Sequence, residues 1–178
     1  MTLINEPITW PVIRPIVIGD SAALVDLEAG LFSSALNLQQ LGHLLQQPNF
    51  FGLALEMVSE LAGYILATQI IDQAEIISFG ISPTHQRCGL GNKLLMRCLH
   101  DLVAANAEEA VLEVAADNVP ALQLYRQHGF KVIGTRPQYY KRPSGRADAI
   151  MMKCSLREAF SWPGLLWSGK RNYNIFVL

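Results

Sequence analysis

Apolar side chains recur along this chain with two periods, close to two and close to 3.6, and the switches between them mark out its elements. Residues 12–18 are mostly apolar and β-branched, which predicts a first strand. Pro15 removes a backbone donor there and points to a sheet edge or a bulge. Asp20 and Ser21 offer an N-cap, and Ala23, Leu24, Leu27 and Leu31 then fall at the spacing of a helix ending near residue 32. A shorter helix is expected over 38–46, stopped by Pro48. Three strands follow in quick succession, at 50–57, 61–71 and 75–81, with links short enough for antiparallel hairpins. The strongest helical period starts near Asn92, where Leu94, Leu95, Cys98, Leu99, Leu102 and Val103 make one apolar face. Lys93, Arg97 and Asp101 lie off that face. Beyond it the pattern predicts a strand at 110–114 and a short helix at 121–128, opened by Pro120 and closed by Gly129. Strands at 131–135 and 149–155 complete the order, with a loop over 137–147 between them. The fold class is α+β (mixed α/β).

Composition adds bounds to this pattern. The 178 residues fit one domain, and a hydrophobic share of 51% is enough to fill a core. A net charge of −1 creates no global field toward nucleic acid or a membrane surface, so neither is an expected partner. Cys88, Cys98 and Cys154 are odd in number and lack paired spacing. Neither a disulfide framework nor a metal site is expected, and a reducing cytoplasm is the natural setting. His43, His85, His100 and His128 are scattered and read as ordinary surface or partly buried side chains. No basic stretch followed by an apolar run opens the chain, and no apolar run is long enough for a membrane span.

The chemistry starts at Gln86-Arg87-Cys88-Gly89-Leu90-Gly91, which lies between the apolar run 76–81 and the helical run. A strand, a glycine loop and a helix N-terminus in that order suit a phosphate, because unpaired backbone N–H groups and the helix dipole both favour an anion. Further on, alternation along 110–114 places Val111 and Glu113 on one strand face and Leu112 and Val114 on the other. A carboxylate inside an apolar strand needs a partner or water.

Taken together, the order of elements and the Q-x-x-G-x-G pattern of Gln86, Gly89 and Gly91 resemble the GNAT family of acetyl-CoA-dependent N-acetyltransferases. The resemblance covers residues 12–156. Three further segments are similar to the branch of that family that acetylates the N-terminal alanine of ribosomal proteins (RimI-type). They are Leu112-Glu113-Val114 with Asp117-Asn118, the run from Ala121 to Phe130, and the stretch from Arg136 to Met152, with its paired tyrosines. The implied fold is a central mixed, largely antiparallel twisted sheet of about six to seven strands, flanked by helices and splayed at the acetyl-CoA site. Residues 1–156 would form the acetyltransferase domain and 157–178 an extension packed on it or on a partner.

Carried onto this chain, the resemblance gives each matching residue an expected role. Arg87, Cys88, Gly89, Leu90, Gly91 and Asn92 wrap the pyrophosphate, with Gly89 and Gly91 taking unusual dihedrals. Phe79, Gly80 and Ile81 run beside the pantetheine arm, Gly80 fits a bulge, and the N–H near Ile81 faces the thioester oxygen. Glu113 is the general base, because an α-amine with a pKa near ~8 is mostly ammonium at neutral pH and must lose a proton before it attacks. Tyr125 is the general acid for the departing thiolate, a phenol being protonated below its pKa of ~10. Asn118 bonds the cofactor or caps the following helix, and Tyr139 and Tyr140 line a peptide slot. No metal takes part. Where RimI-type enzymes carry a proline-tryptophan element, this chain has Phe32-Ser33-Ser34-Ala35-Leu36, and Ala115 stands where arginine is common. The expected acceptor is a protein or peptide N-terminus, of a ribosomal protein in the closest resemblance. The rivals are a small amine or lysine side chain on the same fold, and a non-catalytic acetyl-CoA-binding module. A monomer or a homodimer is compatible with the chain.

Overall fold

The structure, a computed structural model, describes residues 10–142 and 145–159. Seven strands form one sheet: β1 (Val12–Pro15), β2 (Phe50–Met57), β3 (Glu60–Ile70), β4 (Gln73–Ile81), β5 (Glu109–Ala115), β6 (Lys131–Arg142) and β7 (Gly145–Ser155). Their spatial order is β1-β2-β3-β4-β5-β7-β6. Every neighbouring pair is antiparallel except β4 and β5, whose parallel pairing is made possible by a helical crossover. The helices are α1 (Ser21–Leu31), α2 (Leu38–Leu45), the crossover α3 (Leu90–Ala104), α4 (Val119–Gln127) and a single turn, α5 (Leu156–Ala159). The extension expected beyond residue 156 lies almost wholly outside the described residues.

Apolar side chains are buried on both sheet faces. Ile65 and Ala67 of β3 join the cluster that includes Leu94, Leu95, Cys98 and Leu102 of α3. Tyr64 and Leu66, their alternating neighbours, join Leu24 of α1 and Leu41 of α2. This is why β3 reads as an unbroken apolar run: it is covered on both sides. Burial also pushes the Cys98 thiol pKa far up, so that thiol is a packing group. Among the described residues no helix is long and apolar enough to cross a membrane.

Four expectations change. The stretch 137–147 is part of a long β6–β7 hairpin, with residues 143–144 outside the described set. Arg136-Pro137-Gln138 reads as a strand breaker, but the sheet absorbs it as a bulge: pairing shifts between Arg136 and Tyr140, Gln138 takes φ 53°, and its N–H donates to Asp148 Oδ1 at 2.8 Å. The first strand ends at Pro15, and a 3-10 turn at Ile18–Asp20 follows. Asp20 makes no side-chain cap to α1. Its carboxylate pairs bidentately with Arg14 and accepts from Val17 N–H, and the Arg14 bond holds its pKa below the ordinary aspartate value. Finally, the bulge in β4 lies at Ile77, between the pairs Leu66–Ser78 and Ala67–Ile76, and Gly80 sits in regular register opposite Tyr64.

Gly80 is needed for space. A Cβ there would stand 2.5 Å from Leu31 Cδ1 and 2.9 Å from the Tyr64 ring. Gly42, inside α2, has nothing within 4 Å of the same atom. Thermal melts should therefore separate two glycine-to-alanine variants. Gly80→Ala is expected to lose about 1–3 kcal/mol through overpacking, and Gly42→Ala to gain about 0.5–1 kcal/mol from helix propensity. Equal effects would contradict the packing described.

Candidate active site

β4 and β5 pair from Gln73–Glu109 to Ile76–Leu112 and then part. Past that point β4 stays paired with β3 as far as Ile81, and β5 stays paired with β7 as far as Ala115. The separation opens a cleft of about 690 Å³, a size that suits a small-molecule ligand. Its walls include Ser78 to Ile81 of β4, Leu112 to Ala115 of β5, the loop before α3, one side of α4, the end of α1 and Tyr140 of β6.

Backbone direction on β4 follows from one bond. Ser82 N–H donates to Ala62 O at 2.8 Å, toward β3. Successive N–H groups of a strand point to opposite edges, so Ile81 N–H points away from β3, into the cleft. The carbonyl of Ile81 is held by Gln86 Nε2 at 2.9 Å, which ties the glycine loop to the end of the strand.

The loop itself turns through two left-handed residues, Arg87 at φ 60° and Gly89 at φ 75°. Gly89 is the N-cap of α3, and the bond from Lys93 N–H to Gly89 O, at 3.2 Å, closes the first turn. The N–H groups of Leu90, Gly91 and Asn92 are therefore left without helical partners. Helix α3 starts two residues earlier than its apolar period predicts, because glycine, not a polar side chain, makes the cap. Gly91 is not left-handed. A Cβ on it would come within 3.6 Å of Phe79 and Leu124, in the space where a ligand would pass. This donor set fits a pyrophosphate, and the unpaired inner edge of β4 fits the amides of a pantetheine arm.

The structure brings most of the expected residues to this cleft. Phe79, Gly80, Ile81, Arg87, Gly89, Gly91, Asn92, Glu113, Asn118, Tyr125 and Tyr140 all line it. Leu90 is instead buried in the core, Cys88 is exposed in the loop without lining the cleft, and Tyr139 is half exposed on the β6 bulge. Tyr139 packs edge-on against Tyr140, with ring centroids 5.2 Å apart, and the Arg136 guanidinium lies 5.6 Å from its centre. It supports Tyr140 from outside. Asn118 Oδ1 accepts from Ala121 N–H at 3.2 Å, so its oxygen caps α4.

Glu113 lies on the half-exposed face of β5, as alternation predicts, and Leu112 and Val114 are buried on the other. Its Oε1 is 3.2 Å from Arg136 Nη2. Tyr125 is 6% exposed, between Phe79 and Phe130, and its hydroxyl makes no hydrogen bond to a described residue. Burial pushes its pKa well above that of a free phenol, and Tyr140 is shifted upward too, by burial and by the Glu113 charge. Both phenols therefore hold their protons at neutral pH.

Three residues of the cleft region escaped the sequence reading. Arg136 is the ion partner of Glu113. Arg142 lines the cleft, pairs with Asp117 at 3.0 Å and lies 6.0 Å from the Tyr140 ring centre. Glu28 is buried at the end of α1. The last had a signal: it stands one turn after Leu24, on the face that the apolar period assigns to the core.

The profile of the acetyltransferase (GNAT) family matches residues 22–130. This chain belongs to the GNAT family. It is 30% identical over 141 residues to a [ribosomal protein bS18]-alanine N-acetyltransferase of Haemophilus influenzae, covering 73% of this chain and 96% of that protein. The crystal structure of the ribosomal-protein-S18-alanine N-acetyltransferase from Escherichia coli superposes with a TM-score of 0.79 at 25% identity, over 83% of this chain and 94% of that one. A spermidine N-acetyltransferase SpeG chimera from Vibrio cholerae and hSSAT has a TM-score of 0.74 at 21% identity, over 85% and 99%, and shares the fold. The chain is thus an N-acetyltransferase of a family whose acyl donor is acetyl-CoA, and its relatives include bS18-alanine N-acetyltransferases.

Cys88 offers a test of whether the donor binds at the glycine loop. It is exposed in the loop, and Cys98 and Cys154 are buried. A thiol reagent should modify the native protein at Cys88 alone, and saturating acetyl-CoA should slow that reaction at least about tenfold if the pyrophosphate covers the loop. Unchanged labelling would place the donor elsewhere. Cys88→Ala should retain turnover.

Proposed function

We propose that this enzyme transfers acetyl from acetyl-CoA to a protein N-terminal α-amine, with the N-terminal alanine of a small-subunit ribosomal protein as the acceptor, in the cytoplasm. The observation that carries the reading is that Ile81, Glu113 and Tyr125 all line the one cleft that opens where β4 and β5 part. Glu113 takes a proton from the acceptor ammonium, directly or through water. The Ile81 amide donates to the thioester oxygen as charge builds on it, and Tyr125 supplies the proton that the CoA thiolate needs. Attack is direct, and Cys88, in the loop, carries no acetyl group.

The charge of the cleft favours a peptide over a polyamine. A polyamine needs several uncommitted carboxylates, and here the acids near the cleft are engaged. Glu113 pairs with Arg136, Asp117 with Arg142, and Glu28 with three neutral donors. The half-buried Tyr140, protonated and beside Glu113, suits the backbone of an extended peptide. The relation to bS18-alanine N-acetyltransferases supports the same acceptor class.

Two experiments test this. Wild-type enzyme is given acetyl-CoA with alanine-terminated peptides, N-blocked lysine peptides and polyamines, and mass spectrometry locates the new acetyl group. The α-amine of the alanine peptides should carry it, and turnover confined to lysine or polyamine would contradict the acceptor. Glu113→Gln and Tyr125→Phe should each lower kcat/KM at least about tenfold. Because the Tyr125 pKa is raised, its protonation should not limit the wild-type rate below pH ~10. Near-normal activity in both variants would overturn the roles assigned.

A further inference from the structure

Glu28 is the charged side chain that this fold buries: among the described residues no other charged group is so enclosed, at 2% exposure, and no cation pairs with it. Three donors meet it. Its Oε1 accepts from the hydroxyls of Tyr64, at 2.8 Å, and of Ser78, and its Oε2 accepts from Leu36 N–H at 2.7 Å. The donors come from β3, from β4 and from the segment between α1 and α2. One carboxylate thus ties the α1–α2 segment to the two strands that hold the reacting end of the cleft.

Its position makes these bonds matter. Phe32, Ser33, Ser34 and Leu36 form a wall of the cleft. Ser33 Oγ donates to Lys141 O at 3.0 Å, joining that wall to the strand that carries Tyr140. This segment, which lacks the proline-tryptophan element, is anchored inward through the Leu36 amide and outward through the Ser33 hydroxyl. The Leu36 N–H is part-buried, and leaving it without a partner is costly, so without Glu28 this amide would have to turn toward water and carry the wall with it.

We propose that Glu28 is a positioning residue for the acceptor: it fixes the 32–36 wall against β3 and β4 and so sets the slot in which the acceptor amine meets Glu113. This rests on the reading of the acceptor as a peptide α-amine. The chemistry of the three donors shows what the role requires. Both hydroxyls can accept as well as donate, but the Leu36 amide can only donate. A glutamine at position 28 can therefore keep all three bonds: its oxygen takes the Leu36 N–H, and its NH2 faces the two hydroxyls, which turn to accept. An alanine keeps none.

The test compares Glu28→Gln and Glu28→Ala on a peptide with a free N-terminal alanine, together with acetyl-CoA affinity by calorimetry. Glu28→Gln should keep the peptide KM within about threefold of wild type. Glu28→Ala should raise it at least about tenfold, with a smaller change in kcat and the acetyl-CoA Kd within about twofold. An unchanged peptide KM in Glu28→Ala overturns the proposal. So does an acetyl-CoA Kd that weakens in step with KM, and so does a Glu28→Gln variant as impaired as Glu28→Ala, which would mean that charge, not placement, is what counts. Amide hydrogen exchange on the wild-type protein gives an answer even if Glu28→Ala does not fold. The Leu36 N–H should exchange far more slowly than those of Ser33 and Ser34, and equal rates overturn the proposal. If wild-type enzyme leaves the alanine peptide unmodified, the acceptor reading fails by itself, and the Leu36 exchange rate still decides whether Glu28 holds the wall.

Discussion

β4 cannot satisfy both neighbours along its whole length. Held by β3 to its end, it loses β5 after Ile76, and the bulge at Ile77 marks the point of departure. A strand edge released inside a sheet presents unpaired amides to whatever fills the gap, and main-chain groups left without partners are costly. The rest of the site follows from that gap. Ile81 N–H is turned into it because Ser82 is bonded to β3, and Glu113 reaches it because β5 continues beside β7. The α3 N-terminus closes one end, where Gln86 bridges back to Ile81.

The electrostatics of the cleft divide the work between acids and phenols. Glu113 has an arginine at one oxygen and a half-buried phenol nearby, so it is neither isolated nor saturated. Tyr125 is enclosed by aromatic rings that keep it protonated, and its hydroxyl is not spent on a described partner. Glu28 is the opposite case, a carboxylate whose oxygens are taken by three donors. Two glutamates near one cleft thus differ in their surroundings: Glu113 meets one arginine, and Glu28 has both oxygens taken by donors from three parts of the chain.

The side of the cleft proposed for the cofactor was far more legible in sequence than the side proposed for the acceptor, for physical reasons. A helix that begins at a left-handed glycine and a carboxylate in an apolar strand are local features, readable from spacing around Gly89 and Glu113. The strands and helices between residues 38 and 128 likewise announce themselves by period, with ends that shift by at most two residues. The acceptor side depends on long-range pairing. Pro137 and Gln138 look like a loop, yet β7 imposes a strand on either side of them. Tyr139 and Tyr140 are adjacent in sequence but divide at that bulge, one outward and one into the cleft. Asp20 looks like a cap and is claimed by Arg14. Arg136 and Glu113 are 23 positions apart and meet only through the sheet. Glu28 left a trace, a charge at an apolar period position, but its donors lie 8, 36 and 50 residues away.

The central claim is that the gap between β4 and β5 is where the thioester lies, with the Ile81 amide on its oxygen. A crystal structure of the enzyme with a non-hydrolysable acetyl-CoA analogue tests it most directly. The account predicts pantetheine amides paired with the free edge of β4, pyrophosphate on the N–H groups of Leu90, Gly91 and Asn92, and the acyl oxygen about 3 Å from Ile81 N. An acyl group held outside the gap, or an Ile81 N–H found bonded to β3, would contradict it.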